Sequence, residues 1–130
     1  MTRNDLARLW LAQAAKDEAV PGAWQDDPGI AEEISGFHAQ QAVENLLKAV
    51  LVRWAVPFRR TPDIAELCDL LRDAGLVPPT SVDEASDLTP FGVEFRYADL
   101  SADEEPLDRR GTRERVEAVR RWVGGLIPSS

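Results

Sequence analysis

The chain has 130 residues, and its 15 basic and 23 acidic side chains give a formal net charge of -8 at pH 7. This length fits one domain, and the acidic balance speaks against a generic nucleic-acid binder, whose affinity for phosphates comes from accumulated Lys and Arg. The single cysteine, Cys68, and the single histidine, His38, exclude a disulfide framework and a zinc site rich in Cys or His. No apolar run approaches the roughly 20 residues that span a bilayer, so we expect a soluble cytoplasmic protein without a membrane partner.

The first 55 residues predict two helices with a short loop between them. The first runs from Thr2 to Val20, with Asn4 or Thr2 as its N-cap and a break at Pro21-Gly22. Its apolar stripe consists of Leu6, Leu9, Trp10, Ala14 and Val20. The second, from Ala31 to Ala55, has the strongest helical period of the chain, carried by Ala39, Val43, Leu46, Leu47, Val50 and Trp54.

The remaining segments predict shorter helices. A third helix has Thr61 as its N-cap, Pro62 at its first position and Gly75 at its end, with an apolar stripe of Ile64, Leu67, Cys68, Leu70 and Leu71. Ser81 and Glu84 have the spacing of a capping box, which predicts a short or kinked fourth helix, with a strand from Phe91 to Tyr97 as the alternative. A fifth helix is capped by Thr112, ends at Gly124-Gly125 and buries Val116, Val119, Trp122 and Val123.

This pattern predicts an all-α fold, an up-and-down bundle of four to five helices. No internal repeat or linker separates a second domain, so we expect one helical domain over residues 1–130. Catalytic templates are missing, because the chain has neither of the two common glycine-rich phosphate loops and no residue that pairs with His38 as a nucleophile. Cys68, within an apolar stripe, is interpreted as an ordinary packing residue.

The second predicted helix carries an unusual line of polar residues. His38, Gln41, Asn45 and Lys48 follow steps of three and four residues, and Gln40 and Glu44 lie on a neighbouring row. One interpretation is a solvated helix face, stabilised by an i,i+4 ion pair between Glu44 and Lys48. The other is a polar groove or a self-complementary dimer face on the longest helix.

The charges are unevenly distributed along the chain. The segment 109–121 has six Arg against two Glu, a local balance of +4, and the other residues hold nine basic and 21 acidic side chains, a balance of -12. We expect these Arg to pair with the acidic loop 103–105 or with other acidic helices, with phosphate binding as the alternative. A symmetric dimer would carry about -16, which suits a basic protein surface better than RNA.

Three stretches resemble the HEPN domain family. The run from Phe37 to Ala49 contains the Gln40-Gln41-Ala42 motif, followed by Glu44 and Lys48 one turn apart, as is typical of the second helix of that family. Arg60-Thr61-x-Asp63-Ile64-x-x-Leu67 resembles the start of its third helix, and Phe95-Arg96-Tyr97-x-Asp99 the end of its fourth. The resemblance covers roughly residues 5 to 122, the expected core of the domain.

HEPN domains are small helical bundles that commonly dimerise, and many are bacterial toxin–antitoxin components encoded beside a minimal nucleotidyltransferase. The resemblance implies a homodimer, such a partner, or a bound nucleotide or RNA. Ribonuclease members carry an Arg and a His with four to six residues between them, but here Ala31, Glu32 and Glu33 occupy the positions where that Arg would precede His38, and Pro62 replaces a further His. The binding residues that it implies are His38, Gln41, Glu44, Lys48, Asp63, Arg96, Tyr97 and Asp99.

Three functions follow from this resemblance and from the positions at which the sequence differs from the family's motifs. The first is a noncatalytic HEPN protein without a cofactor, which binds a nucleotidyltransferase or a nucleotide. The second is a toxin ribonuclease with an atypical catalytic site of His38, Arg96 and Tyr97. The third is a structural helical subunit of a larger assembly, with the Arg-rich last helix as a docking surface.

Overall fold

A computed structural model describes residues 1–24, 32–61, 63–89 and 109–127 of the chain. These ranges form five α-helices and one 3-10 helix, and they contain no strand. The α-helices are α1 (Arg3–Trp24), α2 (Glu32–Arg53), α3 (Ile64–Asp73), α4 (Thr80–Asp83) and α5 (Arg109–Leu126), and the 3-10 helix spans Glu84–Leu88. The prediction of an all-α bundle is confirmed, whereas the alternative strand at 91–97 lies outside the described residues.

Helix α1 begins as predicted but buries a different stripe. The Thr2 hydroxyl accepts a hydrogen bond of 3.1 Å from the Asp5 amide, and the Asp5 carboxylate accepts one of 2.9 Å from the Thr2 amide, so Thr2 is the N-cap. The predicted break at Pro21-Gly22 is wrong, because the helix continues to Trp24. The predicted burial of Leu6 and Leu9 is also wrong, since their exposed fractions are 40% and 57%. Up to residue 19, the last side chain of α1 that the structure describes, the buried positions are instead Ala7, Ala14 and Asp17, with Trp10 and Leu11 partly buried.

Helix α2 is the centre of the described bundle. It packs against α1 on one side and against α3, α5 and the 3-10 helix elsewhere around its circumference. Five of its six predicted core residues are fully buried, namely Ala39, Val43, Leu46, Leu47 and Val50. The sixth, Trp54, lies beyond the last helical residue and is 38% exposed. Residues of α2 are therefore buried on nearly all sides, which an amphipathic surface helix would not show.

Helices α2 and α3 end in the same backbone motif. The amide of Val56 donates to the carbonyl of Leu51 at 2.8 Å, and that of Leu76 to Leu71 at 2.9 Å. In this arrangement the preceding residue adopts a left-handed conformation, with φ of 57° at Ala55 and 86° at Gly75. The predicted end of the third helix at Gly75 is confirmed. Ala55 adopts the same conformation at a steric cost, because its Cβ crowds the following carbonyl.

The starts of α3 and α4 differ from the predicted caps. Asp63 caps α3 by accepting a hydrogen bond from the Glu66 amide at 3.3 Å, while Thr61 is buried and accepts one from the Asp63 amide at 3.1 Å. Helix α4 follows Pro79 without a side-chain cap, so the predicted capping box at Ser81 is wrong. The predicted apolar stripe of α3 is confirmed, since Ile64, Leu67, Cys68 and Leu71 are buried.

Helix α5 is longer than its caps predict. It begins at Arg109, so Thr112 lies inside it and is buried, and it passes through Gly124 and Gly125 before ending at Leu126. Its buried residues Val116, Val119 and Val123 join the apolar core with α2 and α3, as predicted. Within the described part of the chain, no helix combines the length and the hydrophobicity that a membrane crossing requires.

Candidate functional site

The polar residues of α2 form a largely buried cluster, linked to α1 through Asp17 and Trp10, which we call the α1–α2 seam. It is formed by Asp17 of α1 and by His38, Gln40, Gln41, Glu44, Asn45 and Lys48 of α2. The exposed fractions of Gln40, Glu44, Asn45 and Lys48 are between 0% and 7%. The prediction of a solvated helix face is therefore wrong for these four residues, and they do not form an open groove. Tertiary packing alone decides this, because a polar line at helical spacing is compatible with either water or a partner helix.

Asp17 joins the two helices at one end of the seam. One carboxylate oxygen lies 3.1 Å from Nδ1 of His38, and the other accepts a hydrogen bond of 3.0 Å from the amide of Asn45. Asp17 is 8% exposed, so both of its oxygens need such partners within the protein. The His38 side chain is 28% exposed, and its ring also makes an edge contact with Phe37 at a centroid distance of 5.5 Å.

Glu44 and Lys48 form the predicted ion pair at the other end of the seam. Nζ of Lys48 lies 3.6 Å from a carboxylate oxygen of Glu44, and each side chain is 9% exposed. Burial raises the pKa of Glu44 above its ordinary value of 4.5, and the charge of Lys48 and hydrogen bonds from Lys48, Gln40 and Gln41 counteract part of that increase. The pair is thus largely removed from water. Breaking a buried ion pair costs more free energy than breaking one at the surface, because the remaining charge is left without a partner.

Two aromatic rings cover Lys48. Its ammonium group lies 5.5 Å from the ring centre of Trp10 and 5.7 Å from that of Phe58. The rings contact each other edge to face, with their centres 6.2 Å apart. Cation–π attraction compensates the ammonium group for part of its lost hydration. Trp10 of α1 and Phe58, which follows α2, therefore close this end of the seam.

Of the other predicted site residues, the structure describes only Asp63, which does not join the seam. Asp63 caps α3, as given above, and its carboxylate serves that helix. Arg96, Tyr97 and Asp99 lie outside the described residues, and so does the predicted pairing of Arg96 with Glu44 or Asp63. The structure thus brings together His38, Gln41, Glu44 and Lys48 and leaves Asp63 in a separate capping role.

The arginines of α5 mostly form ion pairs within the chain. Arg120 donates two hydrogen bonds of 2.7 and 2.8 Å from Nε to the Glu18 carboxylate of α1. Arg115 lies 3.4 Å from the carboxylate of Asp87 in the 3-10 helix. Within α5, Arg113 pairs with Glu117 at 2.9 Å and Arg110 with Glu114 at 3.8 Å. The expected pairing with other acidic helices is confirmed, while the acidic loop 103–105 lies outside the described residues.

Cys68 packs as predicted. It is 1% exposed within the apolar core, and burial, with a smaller effect of the nearby Asp83 carboxylate, raises the pKa of its thiol to about 12. A thiol with that pKa stays protonated at neutral pH and is a poor nucleophile. Among the described residues, no group of three or more His, Cys, Asp or Glu side chains is placed to hold a metal ion.

Sequence reasoning missed Asp17, Trp10 and Phe58 as members or neighbours of the seam. A signal for Asp17 exists, because it follows Ala7, Trp10 and Ala14 at steps of three and four residues, so an acidic side chain occupies the buried stripe of α1. A buried acid facing a helix that carries His, Asn and Lys predicts an interhelical hydrogen bond. For Phe58, which lies in a turn, periodicity offers no signal.

Chemically, the seam can support two kinds of role. Its hydrogen bonds and ion pair satisfy buried polar groups and hold α1 on α2 in one register. Among the titratable side chains of the seam, His38 is the one that combines partial exposure with a carboxylate partner. When Nδ1–H donates to Asp17, Nε2 of the ring carries the lone pair that a general base requires.

The sequence of the chain matches the family model described as HEPN domain over residues 30–126. No curated protein and no solved structure matches the chain. The match begins shortly before α2 and ends at the last residue of α5, so it includes every α2 residue of the seam and most of the apolar core. Because it covers well over half of the sequence, the chain belongs to the HEPN domain family.

Proposed function

We propose that this chain is a noncatalytic HEPN-domain protein that acts by binding, as a homodimer, a minimal nucleotidyltransferase partner, a nucleotide, or both. Such a role would make it one component of a toxin–antitoxin pair. The observation that carries the proposal is the burial of the family's helix-2 residues. Glu44 and Lys48 satisfy each other inside the seam, so they serve the fold and are not free to bind a substrate.

The sequence around His38 supports the noncatalytic half of this proposal. Ribonucleases of the family carry an Arg and a His with four to six residues between them, and Ala31, Glu32 and Glu33 occupy the corresponding Arg positions here. Without an Arg at these sequence positions, the developing charge on a scissile phosphate would lack the stabilisation that the family's motif supplies.

The charge of α3 and α4 supports a protein partner. Residues 63–89 contain seven acidic side chains and one basic one, Arg72, which is itself paired with Asp69 at 2.7 Å and with Asp83. Asp73 and Glu84 are exposed. An acidic surface of this kind raises the association rate with a basic protein and repels RNA.

Co-expression with the product of the neighbouring reading frame tests this function. We expect the two proteins to co-purify, and the double variant Asp73→Lys with Glu84→Lys to weaken that association. Glu114→Lys on α5 is the matched control, since it reverses an exposed charge elsewhere. A chain that is monomeric in light scattering, ignores the neighbouring product and binds no nucleotide in calorimetry would contradict the proposal.

A second candidate, a ribonuclease with an atypical site, is favoured by the pairing of Asp17 with His38. The carboxylate orients the imidazole in the way that a general base needs, and the ring remains partly exposed. This candidate predicts RNA cleavage that is lost in both His38→Ala and Arg96→Ala while each variant stays folded. Cleavage that survives His38→Ala would exclude His38 as the base.

A further inference from the structure

Helix α1 is apolar on two opposite sides. Ala7 and Ala14 are buried in the apolar core, whereas Leu6 and Leu9 are 40% and 57% exposed. A helix at the surface of a single chain usually turns a polar side outward, and a helix that is apolar on both sides is usually covered on both. The family match begins at residue 30, so α1 lies outside it. The outward side of α1 therefore indicates a contact that the single chain does not make.

Four outward residues of α1 form a straight line, which we call the α1 stripe. They are Asp5, Leu9, Ala12 and Lys16, at steps of four, three and four residues, and all four are exposed. At 3.6 residues per turn, these positions lie within about 60° of one another around the helix axis. The same steps form the contact line of two-stranded coiled coils. The α1 stripe thus has the geometry to pack along a second helix.

The two ends of the α1 stripe carry opposite charges that are accessible. The Asp5 side chain is 49% exposed, and one of its oxygens accepts the capping hydrogen bond of 2.9 Å from the Thr2 amide. Its other oxygen lies 4.0 Å from a guanidinium nitrogen of Arg8, beyond hydrogen-bond distance. Lys16 is exposed and forms no ion pair with another described residue. Both ends of the stripe can therefore pair with a charge on another molecule.

The order of residues in the α1 stripe is self-complementary. Asp5 and Lys16 are equally far from the midpoint between residues 10 and 11, and so are Leu9 and Ala12. In an antiparallel pair with its two-fold axis at that midpoint, Asp5 lies opposite Lys16 of the second copy, and Leu9 lies opposite the small Ala12, each contact occurring twice. A parallel pair would bring Asp5 to Asp5 and Lys16 to Lys16, where like charges repel.

We propose that α1 pairs in an antiparallel manner with α1 of a second copy of this chain through the α1 stripe. Leu6, on the same outward side, widens the apolar part of the contact. An unrelated apolar partner would cover Leu9, but it would not account for charges that mirror each other about the centre of the helix. The contact goes beyond the function proposed above, because a homodimer formed through another face leaves α1 free and would associate further through it.

The contact between the two α1 helices is weak. The part of α1 up to Ala19 is about 26 Å long, and one face of such a helix covers less than the roughly 800 Å² per partner of a stable interface. We therefore expect a dissociation constant of about 100 µM, which separates this contact from a tight homodimer interface. Its two ion pairs are exposed at the edge of the contact, so the affinity should fall as the salt concentration rises.

Sedimentation velocity at protein concentrations up to about ten times that dissociation constant tests the proposal. Leu9→Lys should weaken the association at least about thirtyfold, because the leucine is covered in both copies. The single chain should stay folded, since Leu9 is exposed there. Val77→Lys is the matched control, because Val77 is 68% exposed and lies after α3, and it should leave the affinity within about twofold.

The charges at the ends of the α1 stripe test the antiparallel arrangement. Lys16→Glu should weaken the association at least about fivefold, because it places a like charge opposite Asp5 in both contacts. Adding Asp5→Lys should restore most of the affinity, since each ion pair is then reversed and not lost. Asp5→Asn with Lys16→Glu is a second rescue, which removes the repulsion and keeps an N-terminal oxygen acceptor on α1. Arg121→Glu on α5 is the matched charge control and should leave the association unchanged.

Several results would overturn the proposal. They are an original chain without an association step at these concentrations, equal losses in Leu9→Lys and Val77→Lys, or a Lys16→Glu variant that neither second substitution rescues at an unchanged melting temperature. Leu9→Lys should leave co-purification with the neighbouring product intact. Loss of that co-purification with unchanged self-association would assign the α1 stripe to the other protein and overturn the proposal. A chain that does not associate through α1 but still co-purifies with the neighbouring product overturns this inference and leaves the proposed function standing.

Discussion

The two faces of α2 are both buried, but by different chemistry. On the side of α1, the seam buries a carboxylate, an ammonium group and amides that satisfy one another. On the opposite face, Val43, Leu46 and Val50 are fully buried in the apolar core. Apolar burial stabilises through the area removed from water and needs no particular partner, whereas each polar group of the seam depends on one specific neighbour.

This difference matters for how the two faces respond to change. A lost methyl group in the core leaves a cavity whose cost is fixed by its volume. A lost partner in the seam leaves a buried charge whose cost depends on its protonation, and therefore on pH. The core would tolerate several apolar residues at each position, while the seam specifies which residue of α1 faces which residue of α2.

The largest effect is expected from Lys48→Met. Methionine keeps the contacts with Trp10 and Phe58 but leaves the Glu44 carboxylate buried without its cation, which should lower the free energy of unfolding by about 4 kcal/mol at pH 7. Urea denaturation measures this loss. The double variant Glu44→Gln with Lys48→Met should recover most of it, because no unpaired charge remains. A double variant that is no more stable than Lys48→Met would show that the ion pair is not the cause.

The same variant should show a pH dependence of defined sign. The pKa of Glu44 is raised in the folded chain above its ordinary value of 4.5, and loss of Lys48 raises it further. A group with a raised folded pKa contributes stability below its unfolded pKa and loses that contribution as the pH rises through the folded pKa. The deficit of Lys48→Met relative to the original chain should therefore be largest near pH 7 and shrink as the pH falls towards 4.5. A constant deficit over this window would contradict the assignment.

In the apolar core, Leu46→Ala should cost about 3 kcal/mol, since a fully buried leucine is replaced by a partly filled cavity. Unlike the seam variant, its deficit should stay the same between pH 4.5 and 7, because no titratable group loses its partner. Urea denaturation at both pH values gives the comparison. A deficit that changes with pH would mean that the core and the seam are energetically coupled through α2.

A smaller effect is expected at the far end of the seam. Asp17→Asn replaces a carboxylate that accepts from His38 and Asn45 by an amide that cannot satisfy both in the same way, which should cost about 1.5 kcal/mol. The neighbouring exposed residue supplies the control, Lys16→Gln, which should be nearly neutral. Equal stabilities of the two variants in thermal unfolding would remove Asp17 from the set of residues that hold α1 on α2.

The smallest effect is expected at the surface link between α1 and α5. Arg120→Ala removes three hydrogen bonds to Glu18, two from Nε and one from Nη2, but its side chain is 43% exposed, so the loss should stay below about 1 kcal/mol. Raising the salt concentration should lower the free energy of unfolding of the original chain towards that of the variant. A loss comparable to that of Lys48→Met would mean that burial does not separate strong from weak ion pairs in this molecule.

Much of the bundle could be predicted from the sequence, and the predictions that were wrong have physical reasons. The apolar periods of α2 and α3 identified their core residues, because a repeat near 3.6 has one geometric meaning. Helix boundaries failed where local signals compete with packing, as at Pro21, Ser81 and Gly124. The prediction of which α1 residues are buried was wrong because both Leu6 and Ala7 are apolar. Only the neighbouring helix decides which of the two faces inward.

The sequence predicted most of the residues of the candidate site, but it did not predict that they are buried against another helix. His38, Gln41, Glu44 and Lys48 were identified by spacing and by resemblance to the HEPN family, and the ion pair between Glu44 and Lys48 is confirmed. Asp17 was not identified, since it is distant along the sequence and its two bonds exist only when α1 lies on α2. Its place in the buried stripe of α1 becomes informative once that stripe is known.

By itself, the sequence determined the helical class of this protein, its HEPN family and the apolar half of α2, because these depend on periodicity and on short motifs that are local to the chain. Only the tertiary structure decided that the polar half of α2 is buried, and that most of the arginines of α5 form ion pairs within the protein. The reason is that a polar side chain at a helical position is equally compatible with water, with another helix and with a ligand. Its environment depends on elements that can be distant along the sequence, as Glu18 is 102 residues from Arg120.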